Sequence, residues 1–202
     1  MLSAENLSCR RGGRTLFRDL GFTVEAGGFV LVTGINGSGK SSLLRLLAGL
    51  IAPLAGVILW QEAQIAEDLA AHRGRSHYIG HLDALKPHVT VHEMLGYWKA
   101  LRGGDKQEMI PDAFAIAKFK DHPIRLLSAG QKRRLSLTRL VLDAAPLWLL
   151  DEPTTALDRE GQTLLRLQIQ QHRARGGIVI AASHDDLQIP DIQTLDMTVA
   201  LS

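Results

Sequence analysis

The chain has 202 residues, 46% of them hydrophobic and 22% charged, which suffices for one domain with a real core or for a core plus a small subdomain. A formal net charge of +2 is too balanced to point to nucleic acid by itself, and the sole cysteine, Cys9, excludes an intrachain disulfide and suits a reducing compartment. The opening residues, MLSAENLSCRR, contain no apolar stretch of the secretory type. Residues 46–60 carry no charged side chain. They are fewer than the ~20 apolar residues a spanning helix needs, and Gly49, Pro53 and Gly56 interrupt them. They read as a helix end, a turn and a buried strand, in a soluble chain able to dock on a membrane protein.

Taken in order, LGFTVEAGG suggests a strand over 20–25 and a bend, and FVLVTG a short strand buried on both faces. A helix over about 40–50 and a strand over 56–60 follow. Thr90 and Glu93 form the T-x-x-E capping pattern ahead of MLGYWKAL, and Gly103-Gly104 ends that helix. A second helix is expected over about 105–118 and a third after Ser128, so 84–145 reads as mostly helical. Strands return at PLWLLDEP (146–153) and GIVIAAS (177–183). Between them lies a long helix capped by Asp158 and stopped at Gly176-Gly177; a weaker strand over 193–201 closes the chain. The pattern is an α/β nucleotide-binding core with a helical insertion and no internal repeat.

The residues G34-I-N-G-S-G-K40-S41 fit G-x-x-x-x-G-K-[ST] between a strand and a helix. Glycines let successive backbone N–H groups converge on phosphate oxygens, and the helix N-terminus adds a partial positive charge. Gly34, Ile35, Asn36, Gly37, Ser38, Gly39 and Ser42 would form the cradle with Lys40, which bridges the β- and γ-phosphates; Ser41 offers its hydroxyl to Mg²⁺. LWLLDE (147–152) ends an apolar strand in two carboxylates, at the strand end where parallel sheets bind ligands. Asp151 suits Mg²⁺, directly or through water, and Glu152 a base that polarises the attacking water.

A phosphate loop alone does not separate a GTP switch, a kinase and an ATPase motor. No N-K-x-D guanine-reading motif occurs, and LLSAGQKRRLSL (126–137) has no evident purpose in a small-molecule kinase. Ser128 is a good helix cap, but Lys132, Arg133 and Arg134 put cations near a positive dipole end. Either an anion lies nearby or the run is a solvated basic face.

LSAGQ is similar to the LSGGQ signature of ATP-binding cassette (ABC) proteins, and the order GINGSGKS, LSAGQ, WLLDEP, TALD (155–158), His184 matches their layout over essentially the full chain. The resemblance implies an ABC-ATPase fold: a RecA-like P-loop core, an antiparallel β portion and a helical signature subdomain at about 84–145, all in one domain. It implies ATP and Mg²⁺ as ligands and a head-to-tail homodimer. In that dimer each ATP lies between one subunit's phosphate loop and the other's Ser128, Gly130 and Gln131, with Asp158 at the interface and His184 at the γ-phosphate.

Two positions depart from the family pattern. Arg11 occupies the place of an aromatic residue that stacks on adenine; a guanidinium plane can stack on a base, which leaves base selectivity open. His81 replaces the glutamine that reaches toward Mg²⁺ and the attacking water, and its charge varies near neutral pH.

CRRGGRTLF (9–17), YIGHLDALKPHVTVHEML (78–95) and LSAGQKRRLSLTRL resemble the CcmA family, the ATP-binding subunits of cytochrome c biogenesis. That resemblance implies membrane subunits CcmB, CcmC and CcmD, the haem chaperone CcmE as client, and a peripheral place on the cytoplasmic face of the bacterial inner membrane. At this level two alternatives stay open: an ABC ATPase for another cargo, such as a lipid, lipoprotein or drug, and a soluble ABC protein acting on DNA or ribosomes.

Overall fold

In the computed structural model, which describes residues 1–103, 111–185 and 187–198, the chain opens with a hairpin. Strands β1 (Leu2–Arg11) and β2 (Arg14–Val24) pair antiparallel across Gly12-Gly13. Both glycines have positive φ, 55° and 79°, which a two-residue hairpin turn requires. β2 covers the expected strand at 20–25 as far as Val24 and extends well ahead of it. β1 was not legible as a strand because register shifts around Asn6, itself at φ 50°, break the period of two.

Next come β3 (Phe29–Thr33), α1 (Lys40–Leu47), β4 (Ala55–Trp60), β5 (Ala63–Gln64), α2 (Leu69–Gly74) and β6 (Ser76–Ile79). The middle holds α3 (Val91–Leu101) and α4 (Ala129–Thr138). The chain then runs through β7 (Leu147–Asp151), α5 (Arg159–Ala174), β8 (Ile178–Ala182) and β9 (Gln193–Asp196). β2-β1-β4-β5 form an antiparallel sheet, and β6-β7-β8-β3-β9 a parallel one.

The parallel sheet is covered on both faces, and its strands alternate between two cores. Val30, Val32, Leu147, Leu149, Ile178 and Ile180 pack with α1 and the antiparallel sheet. Their neighbours Phe29, Trp148, Leu150, Val179 and Ala181 pack with Leu165 and Ile169 of α5. This is why FVLVT, LWLLD and IVIAA read as continuous apolar runs. The helical stretch has its own core, in which Val91, Met94, Leu95 and Trp98 of α3 meet Ile116, Ile124, Leu127 and Leu135.

The capping box at α3 forms as expected: Thr90 Oγ1 accepts from Glu93 N at 3.2 Å, and Thr90 N donates to Glu93 Oε2 at 2.7 Å. The helix expected over 105–118 does not form in its described part. Residues 111–116 make turns, followed by a single 3-10 turn at Ala117–Phe119. Asp112 Oδ1 accepts from the backbone of Ile116 (2.7 Å) and Ala117 (2.9 Å), and Ala115 has φ 54°, so a side-chain turn outcompetes the helix. The remainder of that expected helix, at 105–110, lies outside the described residues, as do Gly104 and the end of the expected 193–201 strand, which is observed as β9.

Candidate nucleotide site

Three chain segments distant in sequence meet where β3, β7 and β8 end. The loop after β3 enters α1 through Gly39, whose φ of 103° is left-handed; a Cβ there would also lie 3.2 Å from Leu16 and 3.0 Å from Phe17. The first turn of α1 has no acidic residue and no side-chain cap, so its N–H groups face the loop. Lys40 folds back into that loop, donating to Gly34 O at 2.7 Å and Ile35 O at 3.3 Å. Ser38 Oγ is buried without a hydrogen-bond partner.

Ser41 Oγ donates to Asp151 Oδ1 at 3.0 Å, joining α1 to the end of β7. Asp151 is buried, and its other oxygen, Oδ2, has no hydrogen-bond partner. A buried carboxylate oxygen left open beside a serine hydroxyl fits a hard divalent cation such as Mg²⁺, which uses few protein oxygens and completes its shell with water and phosphate. Glu152 follows at φ 48°, outside the usual range for a non-glycine residue. Its backbone N–H is tied to Ala182 O at 2.8 Å.

His184, just past β8, closes the group. Its Nε2 lies 3.1 Å from Lys40 Nζ, 3.0 Å from Asn36 Oδ1 and 3.6 Å from Glu152 Oε1. Thr154 Oγ1 donates to Asp185 Oδ2 at 2.9 Å, which holds the turn after Glu152 against the His184 loop. Asn36, Gly37, Gly39, Lys40, Ser41, Ser42, Asp151, Glu152 and His184 line a cavity of about 630 Å³, while Gly34, Ile35 and Ser38 of the loop do not line it. Arg11, Leu16, His81 and Thr155 line it as well. Both departures noted in the sequence, Arg11 and His81, are therefore at the cavity, and both are exposed.

Ser128, Gly130, Gln131 and Asp158 do not line it. Ser128 and Gln131 cap α4 reciprocally: Ser128 Oγ accepts from Gln131 N at 3.2 Å, and Ser128 N donates to Gln131 Oε1 at 2.8 Å. Gly130 rests against the TALD loop, where a Cβ would stand 2.9 Å from Ala156 O. Asp158 caps α5 through Gly161 N at 2.9 Å and accepts from Arg134 Nη2 at 2.5 Å. The Arg134 and Gly161 hydrogen bonds hold its carboxyl below the usual range.

The basic run is not a solvated face. Arg133 is buried, and its guanidinium donates to Gly80 O (3.0 Å), Asp83 Oδ1 (3.1 Å), Asp151 O (3.0 Å), Glu152 O (2.7 Å) and Pro153 O (3.3 Å). Arg134, also buried, pairs with Asp158 and Glu160. The anion that offsets these cations comes from the protein itself. Arg133 is the positioning residue the sequence reading missed. Its only signal was a cation placed unfavourably close to a helix N-terminus.

A model of the ABC transporter family matches residues 17–155, more than half of the chain. The chain belongs to the ABC transporter family. It is an ABC ATPase subunit, and it binds nucleotide. It is 47% identical to the cytochrome c biogenesis ATP-binding export protein CcmA of Paramagnetospirillum magneticum, over 96% of this chain and 93% of the relative. The CcmA of Rhodospirillum rubrum is 48% identical over 96% and 84%, and that of Haemophilus influenzae 40% identical over 97% and 94%. In fold, the chain superposes on a putative ABC transporter ATP-binding protein from Pyrococcus furiosus with a TM-score of 0.84 at 24% identity, covering 100% of this chain and 99% of the other. A dimeric ATP-binding cassette bound to ADP and Pi gives a TM-score of 0.75 at 21% identity, covering 92% and 88%. Among the described residues, no helix of this ABC subunit is long and apolar enough to cross a membrane.

Proposed function

We propose that this ABC ATPase serves cytochrome c biogenesis, binding and hydrolysing ATP on behalf of membrane subunits of the CcmB, CcmC and CcmD type and driving release of a haem-loaded CcmE chaperone. The observation that carries the reading is the likeness to CcmA proteins along nearly the whole chain. The chain then sits peripherally at the cytoplasmic face of the bacterial inner membrane.

The mechanism follows from the cavity. The loop 34–41, with Ser42 behind it, receives the β- and γ-phosphates on its N–H groups. Lys40 leaves the Gly34 and Ile35 carbonyls, which costs little because it exchanges neutral acceptors for anionic ones. Ser41 and Asp151 would hold Mg²⁺, which neutralises phosphate charge when bound. Glu152 accepts the proton of the attacking water, and His184, between Lys40 and Glu152, donates to the γ-phosphate. His81, on the loop after β6, supplies a further polar contact and links this site to the helical stretch.

Ser128, Gly130, Gln131 and Asp158 lie outside the cavity of their own chain. A second copy, arranged head to tail, brings its Ser128 cap and the N-terminus of its α4 to the γ-phosphate of the first. Two triphosphates are thereby enclosed between two chains, and hydrolysis releases the clamp.

Deletion of the gene, followed by haem staining of c-type cytochromes, tests the reading. Loss of covalently attached haem, restored by the wild-type gene but not by Lys40→Ala, is expected. Normal cytochromes in a strain with no second copy point instead to another cargo.

A further inference from the structure

Resting on the nucleotide reading above, we propose that Tyr78 is a positioning residue of the metal site: its hydroxyl tethers Asp151 Oδ2, through at most one bridging water, and so fixes the carboxylate that Mg²⁺ meets. β6 and β7 run parallel with Tyr78 opposite Leu149, and Asp151 lies two residues beyond Leu149 on the same face. Tyr78 and Leu149 pack there in one core with α1. Ser41 and Arg45 are about one turn apart on α1 and therefore share a side of that helix. Ser41 Oγ donates to Asp151 Oδ1 at 3.0 Å. Burial pushes the Tyr78 phenol up, the Arg45 guanidinium draws it down, and the Asp151 carboxylate pushes it up again, so both charged side chains act on this one hydroxyl.

Two buried oxygens thus share a neighbourhood, each with capacity to spare. Among the described residues, neither Tyr78 Oη nor Asp151 Oδ2 has a partner in hydrogen-bond geometry. A buried hydroxyl without a partner destabilises the fold, and phenylalanine would fill the same space without that cost. The ring is closely seated: a Cβ on Gly80 would lie 3.2 Å from Tyr78 Cε1 and 3.3 Å from Oη. A carboxylate held at one oxygen still turns about its Cβ–Cγ bond, which has only broad preferences. Ser41 supplies that single hold at Oδ1. A second hold at Oδ2 stops the turn and leaves Oδ2 a lone pair for the cation or its water shell. Arg45 sets the direction of the tether. A guanidinium only donates, so the phenolic proton is left to point at Asp151. An outer partner of this kind orients a metal ligand, and raises metal affinity, without touching the metal.

The test is titration calorimetry of ATP on the full chain in a Glu152→Gln background, in Mg²⁺ and in EDTA, with Tyr78→Phe compared to its parent. The parent should bind ATP more tightly with Mg²⁺ than in EDTA. Tyr78→Phe should lower the ratio of those two affinities by about tenfold and leave the affinity in EDTA unchanged. The variant keeps the ring and loses one unpaired oxygen, so its melting temperature without nucleotide should equal or exceed the parent's. A hydroxyl that served only the fold would do the reverse: the melting temperature would fall and the ratio would hold. That result overturns the tether, and so does an equal loss of affinity in Mg²⁺ and in EDTA, which would place the hydroxyl's effect on the phosphate loop. A parent that binds ATP with no advantage from Mg²⁺ would remove the metal site, and a parent that binds no ATP would remove the nucleotide reading; the tether falls with either.

Discussion

Arg133 donates to the main-chain oxygen of Glu152 at 2.7 Å, so a side chain of α4 holds the backbone of the turn that carries the carboxylate proposed to polarise water. The same guanidinium reaches Gly80 and Asp83 on the loop bearing His81. One buried fork thus connects α4, the end of β7 and the His81 loop. Removing it takes a charged donor from four carbonyls and one carboxylate, of which Glu152 O keeps the Thr155 N–H at 3.3 Å. Arg133→Ala should cost about 3 kcal/mol in urea unfolding and lower ATPase turnover. Arg133→Lys should recover less than half of that stability, because an ammonium cannot match the planar fork.

Glu152→Gln keeps the size of the side chain and removes its basicity. ATP binding should be unchanged, with phosphate release falling at least about a hundredfold. Equal turnover in the variant and the parent would remove Glu152 from its role.

Asp151 Oδ2 is buried and open, while Oδ1 holds Ser41. Asp151→Asn should therefore leave the fold in place and remove the advantage that Mg²⁺ gives to ATP binding. The readout is ATP affinity with Mg²⁺ divided by that in EDTA, which should fall toward one.

His172 stacks on Trp148 with ring centroids 3.9 Å apart, and burial pushes its pKa down to about 4. Burial also lowers His72 and His77. A histidine near 6.5 when unfolded and lower when folded takes up protons on unfolding, so its stabilisation is complete above about pH 6.5 and is lost as pH falls toward the folded value. The melting temperature should be level from pH 8 to 7 and decline from pH 6.5 to 4. His172→Phe keeps a ring against Trp148 and should flatten part of that slope.

Much of this was legible because local chemistry and tertiary role coincide. The phosphate loop needs its glycines and lysine wherever it occurs, and the strands of the parallel sheet, buried on both faces, announce themselves as apolar runs. The capping pair at Thr90 and the helix cap at Ser128 are likewise sequence-local, and both form. What escaped depended on distant partners. β1 pairs with both β2 and β4 through bulges that scramble its alternation. In the described part of the helix expected over 105–118, the Asp112 side chain holds a turn instead. Arg133 and Arg134 look like solvated cations until carbonyls and carboxylates 18 to 53 residues away close around them.

Ser128 lies outside the cavity that contains Lys40, and the proposed mechanism brings it there from a second chain. Sedimentation equilibrium of the Glu152→Gln chain, with and without Mg-ATP, measures it. The expected result is monomer without nucleotide, dimer with Mg-ATP, and monomer again when Ser128→Glu is added, although that variant still binds ATP. A chain that stays monomeric at saturating ATP, or a Ser128→Glu chain that dimerises as readily as its parent, would contradict a site shared between two copies.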